Sequence, residues 1–175
     1  MPTETGKHAD LLVLGVDTSL RSSGVGLVRG PVRNPQFITC GTIKTPASQP
    51  HTECLRRLDA GISELIEEHN PDVVAIEGIF FCKNVRTAMI LGQARGVVLA
   101  AAARAGKPVY EYAPRDVKKS LSGFGAASKD QVAKMITSLL KLNRVPQEDA
   151  ADALAIALCH LHRVTGVRVT EPKAL

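Results

Sequence analysis

The sequence predicts an α/β fold built on a five-stranded mixed sheet with helices on both faces. A continuous apolar run at residues 11–16 is typical of a strand that is buried on both faces. Two further strand patterns follow it, and strand and helix patterns then alternate along the chain. Its 175 residues, 45% of them apolar, are enough for one domain with a sizeable core.

Three strands open the predicted domain. The first covers residues 11–16 and is ended by Asp17, and the second and third cover residues 24–28 and 36–44. A Gly-Pro and an Asn-Pro dipeptide between the second and third strands mark turns. We therefore expect these three strands to form an antiparallel meander.

A helix and a short strand come next. Residues 51–69 place apolar side chains at helical spacing, and Asn70-Pro71 stops the helix. The strand at residues 73–76 follows and places Glu77 at its C-terminal end. An Ala-rich helix at residues 84–105, closed by a glycine, then leads to a fifth strand at residues 109–112.

Three helices complete the prediction, at residues 114–121, 128–142 and 146–164. The second of them has Ser128 as its N-cap and Gln131 at the third position, which is the pattern of a capping box. We expect a disordered N-terminus over residues 1–10, one domain over residues 11–166, and a flexible tail over residues 167–175.

Charge and cysteine content bear on partners and compartment. Lys and Arg outnumber Asp and Glu by 22 to 17, which is compatible with a polyanionic partner without requiring one. The four cysteines show no CxxC pairing, so a zinc site or a disulfide framework is not indicated. The sequence shows neither a signal peptide nor an apolar run of membrane-spanning length, and we expect a cytoplasmic protein without a membrane partner.

Asp149 and Asp152 lie three residues apart in an otherwise apolar helix. Their carboxylates therefore leave the same helical face one turn apart. Acids in the first turn of a helix are favoured by unpaired N–H groups and the helix dipole, which is one interpretation. The other is a buried acid pair, which needs a compensating charge and commonly a metal ion.

Asp17 and Glu77 favour the second interpretation, because each ends a strand at the edge where open sheets form ligand crevices. Singly, each acid is better explained by a structural role, Asp17 as a cap of the following turn and Glu77 as an edge ion pair. Together, four carboxylates without a matching His or Cys set suit Mg²⁺ or Mn²⁺ rather than zinc. Two such ions activate water and stabilise the leaving oxygen of a phosphodiester.

Six motifs resemble, in order and spacing, the RuvC-type Holliday-junction resolvases over about residues 11–164. They are Gly15-Val-Asp17, Ala75-Ile-Glu77-Gly-Ile-Phe-Phe81, Leu91-Gly-Gln-Ala-Arg-Gly96, Ala113-Pro-Arg-Asp-Val-Lys118, Lys129-Asp-Gln-Val132 and Asp149-Ala-Ala-Asp-Ala-Leu-Ala155. The resemblance implies that family's RNase H-like fold. It also implies that Asp17, Glu77, Asp149 and Asp152 are the metal-binding catalytic acids.

The resemblance further implies a Mg²⁺-dependent, structure-selective crossover junction endodeoxyribonuclease acting in homologous recombination and DNA repair. Its substrate would be a four-way DNA junction, cut by paired symmetric hydrolysis. Two Mg²⁺ ions per site are implied, with Mn²⁺ as a substitute. Because the junction is two-fold symmetric, we expect a homodimer with the Ala-rich helix as its seam. The branch-migration proteins RuvA and RuvB are the implied protein partners.

DNA-contact residues are implied around the acids. Lys118 and Lys129 match family lysines near the scissile phosphate, where a positive charge supports the reaction. Lys118 is accordingly expected to be catalytic as well as DNA-binding. Lys83 and Arg86 are candidate phosphate contacts, although a solvated helix face explains them equally well. Phe80 is expected to stack on an unpaired base, with the alternative that it packs in the core beside Phe81.

The chain departs from the family pattern after the first acid, where Thr18-Ser19 replace the usual Pro-Gly. We expect a different turn there, with residues 21–23 facing the DNA backbone. Gly78 also stands where the family often has a polar residue.

Three other functions are compatible with parts of the chain. The first is a nucleotide-binding phosphotransferase, because residues 15–26 also resemble the first phosphate loop of the actin and sugar-kinase superfamily. That fold, however, needs a second lobe. A non-enzymatic junction-binding scaffold would be favoured if an acid were missing, and none is. A non-junction nuclease of the same fold is the third alternative.

Overall fold

The computed structural model describes residues 10–31, 33–78, 84–123, 125–165 and 173–175. Five strands and five helices occur in these residues: β1 (Leu12–Asp17), β2 (Ser22–Arg29), β3 (Gln36–Lys44), α1 (His51–His69), β4 (Val73–Glu77), α2 (Val85–Arg104), β5 (Val109–Tyr112), α3 (Pro114–Ser122), α4 (Lys129–Leu139) and α5 (Glu148–Thr165). The predicted order of elements is confirmed.

The strands form one mixed sheet in the order β3-β2-β1-β4-β5. β1 pairs antiparallel with β2 and β2 pairs antiparallel with β3, whereas β1 and β5 each pair parallel with β4. The predicted antiparallel meander of the first three strands is therefore confirmed. β1 lies at the centre of the sheet, which explains its continuous apolar run.

Helices cover both faces of the sheet. Alternate residues of a strand point to opposite faces. Accordingly, Val13 and Ala75 pack with α3, α4 and α5, while Leu14, Val16 and Ile76 pack with α1 and α2. The protein thus has two core layers separated by the sheet.

Two glycines of the sheet allow α5 to approach it closely. A Cβ atom on Gly24 would lie 1.8 Å from the carbonyl oxygen of Asp149, and one on Gly15 would lie 2.1 Å from that of Ala153. Any other residue at these positions would force the helix away. The N-terminal turn of α5 is therefore held directly over β1 and β2.

Helix ends follow the predicted capping signals in two places. The side chain of Asn84 accepts hydrogen bonds from the first turn of α2. Ser128 and Gln131 form the predicted capping box at the start of α4. However, α4 ends at Leu139, three residues before the predicted end, because Lys141 adopts a left-handed conformation with φ of 52°.

The C-terminal residues contact the edge of the sheet. Ala174 forms an antiparallel bridge with Tyr110, and the amide of Leu175 donates to the carbonyl of Val109 at 2.9 Å. These last residues thus extend the pairing beyond β5, which differs from the flexible tail expected over residues 167–175. Pairing of this kind satisfies backbone groups that an edge strand otherwise leaves open.

Within the described residues, α2 alone is long and apolar enough, by length and composition, to cross a membrane. The sequence analysis predicts no such segment, so the two differ for α2. One face of α2 packs in the core through residues that include Ala94, Val98 and Ala102, and Arg95 lies in the middle of the helix. A core helix of a globular domain has the same length and composition.

Candidate active site

Four carboxylates from three elements lie along the C-terminal edge of β1 and β4. Val16 and Ile76 are partners in the parallel pairing of the two strands, so Asp17 and Glu77, the next residues, leave neighbouring strand ends. Asp149 and Asp152 lie in the first turns of α5, which the sheet glycines hold over the same edge. The structure therefore brings the four acids into one region.

Asp17 is the acid most affected by this arrangement. Its pKa is raised from 3.8 to about 7, first by burial and then by repulsion from Asp152, Glu77 and Asp149. Lys129 partly offsets the effect. A carboxyl with such a pKa stays largely protonated below neutral pH, unless a cation compensates its charge.

Glu77 is affected in the same direction. Burial raises its pKa, repulsion from Asp152 adds to the effect, and the ammonium groups of Lys129 and Lys118 oppose it. The negative charges of two neighbouring acids are thus only partly compensated by nearby positive charge. Carboxyl groups with pKa values perturbed in this way are common at metal-binding and catalytic sites.

The four acids do not form a ready-made metal cage. Across the residues that the structure describes, no three or more His, Cys, Asp or Glu side chains converge closely enough to hold a metal ion as they stand. Repulsion among charges acts over longer distances than coordination does, so the electrostatic coupling and the missing cage are compatible. The donor set consists of carboxylate oxygens whose negative charge is only partly compensated, which fits a hard divalent cation.

The turn after Asp17 is built by serines where the resembled family has Pro-Gly. Ser19 and Ser23 exchange hydrogen bonds: the amide of Ser19 donates to Ser23 Oγ at 3.0 Å, and Ser23 Oγ donates to the carbonyl of Ser19 at 2.5 Å. The hydroxyl of Ser22 donates a short hydrogen bond to Asp149 Oδ2. The turn therefore orients one of the four acids across a sequence separation of 127 residues.

The same turn corrects, for Ser23, the expectation that residues 21–23 face the DNA backbone. The guanidinium of Arg21 donates to the carbonyls of Pro46 and Gln49, at 2.9 and 3.2 Å. Ser23 is fully buried. Thr18 Oγ1 is also buried and has no hydrogen-bond partner in the described part of the chain. These side chains shape the turn, because their polar groups are directed into the protein or to nearby carbonyls.

The two lysines expected near the scissile phosphate differ in their contacts. Lys129 lies at the start of α4, where its ammonium binds Glu148 Oε1 at 2.6 Å and Asp152 Oδ2 at 3.2 Å. Lys118 is half-buried in α3 and acts on the charge of Glu77. Both lysines therefore border the acid region.

Arg95 holds the backbone next to the second acid. Its guanidinium donates to the carbonyl of Glu77 at 3.2 Å and forms an ion pair with Glu111. The amide of Gly78 donates to the carbonyl of Tyr112 at 2.9 Å, which continues the pairing of β4 with β5. Arg95 lies within one of the family-like motifs, at residues 91–96, but its supporting role has no signal in the sequence.

The remaining predicted DNA contacts are less defined. Arg86 is exposed in the first turn of α2, and its backbone amide donates to the Asn84 cap at 2.9 Å. Phe80, Phe81 and Lys83 lie outside the described residues.

His160 is buried, and its Nδ1 lies 2.6 Å from the Tyr112 hydroxyl. Because its imidazole packs between α5 and β5, it belongs to the core below the acids.

Comparison with known proteins shows similarity along most of the chain. The family model for crossover junction endodeoxyribonuclease RuvC matches residues 13–160. The RuvC of Pelotomaculum thermopropionicum is 44% identical over 159 residues, which cover 90% of this chain and 97% of that protein. The RuvC of Tolumonas auensis is 47% identical over 151 residues, covering 86% of this chain and 87% of that protein.

Solved structures show the same similarity in three dimensions. Thermus thermophilus RuvC in complex with a Holliday junction substrate superimposes with a TM-score of 0.87 at 35% identity, covering 94% of this chain and 99% of that one. The yeast mitochondrial Holliday junction resolvase, at 14% identity and a TM-score of 0.62, covers 86% of this chain and 77% of its own. That second likeness concerns the fold alone.

Proposed function

Because the chain belongs to the RuvC family of crossover junction endodeoxyribonucleases, we propose that Asp17, Glu77, Asp149 and Asp152 are its metal-binding catalytic acids. The protein is an endonuclease that resolves four-way (Holliday) DNA junctions, and its sheet has the RNase H-like fold. Membership of the family implies dependence on a divalent metal. The assignment of individual residues is our proposal.

One observation carries the assignment of the acids. The pKa of Asp17 is raised to about 7 by burial and by repulsion from the other three acids. Burial and repulsion make the negative charge on this half-buried carboxylate unfavourable. A bound cation would relieve that cost, so the arrangement indicates a cation-binding site. An acid that merely capped the turn after β1 would sit among N–H donors, which lower a carboxyl pKa.

We propose Mg²⁺ as the natural cation, two ions per site, with Mn²⁺ as a substitute. Oxygen-only donor sets suit these hard ions. Bound there, the ions would supply activation of water and stabilisation of the charge that develops when a phosphodiester is cleaved. The contribution of the protein is to hold the four carboxylates in place, through the strand ends, the close approach of α5 and the Ser22–Asp149 hydrogen bond.

Lys118 and Lys129 are proposed to bind the scissile phosphate, with Lys118 also catalytic. Their ammonium groups already act on the charge of Glu77, so they border the place where negative charge develops. Arg86 is proposed to contact a phosphate from the exposed start of α2. Phe80 and Lys83 stay proposed DNA contacts on the resemblance alone.

A homodimer is proposed through the outward face of α2. Met89 and Val85 are exposed by 62% and 75%, which is unusual for large apolar side chains. Gly92 and Gly96 lie one turn apart, and a Cβ atom on either would meet nothing within 4 Å. Glycines at this spacing leave room for a second helix to approach closely. A two-fold dimer would also present two sites to a two-fold symmetric junction.

The dimer is tested by substitutions on this outward face. Met89→Glu and Gly96→Arg should yield monomers by sedimentation analysis, because each places a charge in the seam without disturbing the core. Their cuts on a junction should become independent single nicks. A dimer that survives both substitutions would place the interface elsewhere.

RuvA and RuvB are proposed as partners, and the cytoplasm as the location, from family membership alone. Both proposals are separate from the site. A pull-down with purified RuvA and RuvB tests the first, with the Met89→Glu variant as a comparison for dependence on dimerisation.

The catalytic proposal is tested with a labelled synthetic four-way junction and a linear duplex of matched sequence, each with and without Mg²⁺. Each of four single substitutions should abolish cleavage of the junction while junction binding persists. They are Asp17→Asn, Glu77→Gln, Asp149→Asn and Asp152→Asn. Asp130→Asn is the matched control, because Asp130 is an exposed acid on α4 paired with Lys134. Normal cleavage by any of the four variants would remove that residue from the site.

A further inference from the structure

Lys129 lies between two acids, of which only one belongs to the proposed metal site. Glu148 and Asp152 are four residues apart on α5 and therefore share one face of the helix. The Lys129 ammonium is 2.6 Å from Glu148 Oε1 and 3.2 Å from Asp152 Oδ2. Asp152 belongs to the proposed metal site, whereas Glu148 is an additional acid at its rim.

The Lys129 ammonium supplies positive charge to the acids when no metal is bound. It lowers the pKa of both Asp17 and Glu77 against the effects of burial and repulsion. A divalent cation held by Asp152 would need the same carboxylate. The ammonium and the cation would also repel one another at such close range. Occupancy of Asp152 by both is therefore unfavourable.

Glu148 provides the lysine with a second binding partner. The contact with Glu148 is the shorter of the two, and Glu148 is exposed and held near the start of α5. The pKa of Glu148 is lowered by its hydrogen bond to Lys129, as expected for a true ion pair. When Asp152 binds a metal ion, Lys129 can stay beside the site through its contact with Glu148 alone.

We propose that Glu148 is a positioning residue that anchors Lys129, so that the ammonium stands in for a cation at Asp152 and yields that oxygen when a divalent metal binds. The inference rests on the proposed metal site and deepens it. It assigns Lys129 two positions, one at Asp152 in the metal-free protein and one held by Glu148 beside the loaded site, where it faces the phosphate.

The test is a double-mutant cycle on Mg²⁺ affinity, measured without DNA from the rise in Tm with MgCl₂ and by isothermal titration. Lys129→Met should tighten Mg²⁺ binding about two- to fivefold, the size expected for an exposed ion pair. Glu148→Gln removes a negative charge near the cation, which by itself weakens Mg²⁺ binding. When Lys129 is present, the substitution should weaken Mg²⁺ binding about two- to fivefold more than this, because the lysine then has only Asp152 to bind.

The cycle separates anchoring from simple charge. Removing the negative charge of Glu148 affects a nearby cation equally with or without Lys129, whereas loss of anchoring acts only when Lys129 is there. Glu148→Gln should therefore weaken Mg²⁺ binding less in the Lys129→Met background than in the wild type. If Glu148→Gln weakened Mg²⁺ binding by the same factor in both backgrounds, the proposal would be overturned.

Two controls complete the design. Asp130→Asn breaks another exposed ion pair on α4, with Lys134, and should leave Mg²⁺ affinity unchanged. Asp152→Asn should lose the Mg²⁺ response, which ties the titration to the site. If the wild type itself shows no saturable response, the metal site fails and this inference fails with it. A normal wild-type response with equal factors refutes the anchoring role alone.

Discussion

Replacing Asp17 by Asn should stabilise the metal-free protein at alkaline pH. Folding raises the pKa of Asp17 from 3.8 to about 7, so the folded state binds the proton more tightly than the unfolded chain does. Stability is then highest at acidic pH and falls as the pH rises from about 4 to about 7. At about 1.36 kcal/mol per pH unit, ionised Asp17 destabilises the fold by roughly 4 kcal/mol above pH 7.

The prediction is measured by urea unfolding in EDTA at several pH values. Asn has no charge to bury, so the advantage of Asp17→Asn should grow by roughly 2–3 kcal/mol between pH 5 and pH 8 and then level off. In a chain of this length that growth corresponds to roughly 5–10 °C in Tm. Mg²⁺ should stabilise the wild type and leave the variant nearly unaffected.

Asp130→Asn serves as the control, because it removes an exposed carboxylate that is paired with Lys134 and does not contribute to the raised pKa of Asp17. Its stability relative to the wild type should change little over the same pH range. A constant difference between Asp17→Asn and the wild type from pH 5 to pH 8 would refute the reasoning. So would a wild type that is the more stable protein at pH 8 in EDTA.

Three further predictions concern the supports of the site. Ser22→Ala should weaken Mg²⁺ binding and slow cleavage severalfold in a junction assay, with Tm little changed, since it removes the hydrogen bond to Asp149; full activity would contradict this. Gly24→Ala should destabilise the fold by about 2 kcal/mol or more in urea unfolding, since its Cβ would overlap the backbone of α5; a neutral effect would mean that the helix shifts freely. Arg95→Ala should lower stability by about 1–3 kcal/mol, since it leaves Glu111 without its ion-pair partner and the Glu77 carbonyl without a donor; unchanged Tm and cleavage would argue against this supporting role.

The types and order of the elements could be predicted from the sequence, because each rests on local patterns. The apolar run of β1 indicated a central strand, and the Ser128 capping box marked the start of α4. The end of α4 was wrong by three residues, because it depends on the left-handed conformation of Lys141, which lysine seldom adopts. Pairing of Ala174 with β5 has no local signal at all.

The candidate site was predictable in part. The four acids stood out by residue type and by position at strand and helix ends. Their supports did not, because the Ser22–Asp149 hydrogen bond and the Lys129–Asp152 contact join residues far apart in the chain. In the sequence, Gly24 belongs to a pattern that resembles a phosphate loop, whereas in the structure its lack of a Cβ allows α5 to approach. Such roles depend on which elements pack together, which local patterns do not determine.

The helix that carries Asp149 and Asp152 is also the most deeply buried helix of the domain, since residues 150 and 151 and residues 153–161 are buried. Segments with this much burial open only when the whole domain opens. Native-state hydrogen exchange should therefore find the α5 amides among the slowest in the protein. During urea unfolding, nuclease activity should therefore disappear together with the global fold rather than before it, because Asp149 and Asp152 lie on this helix.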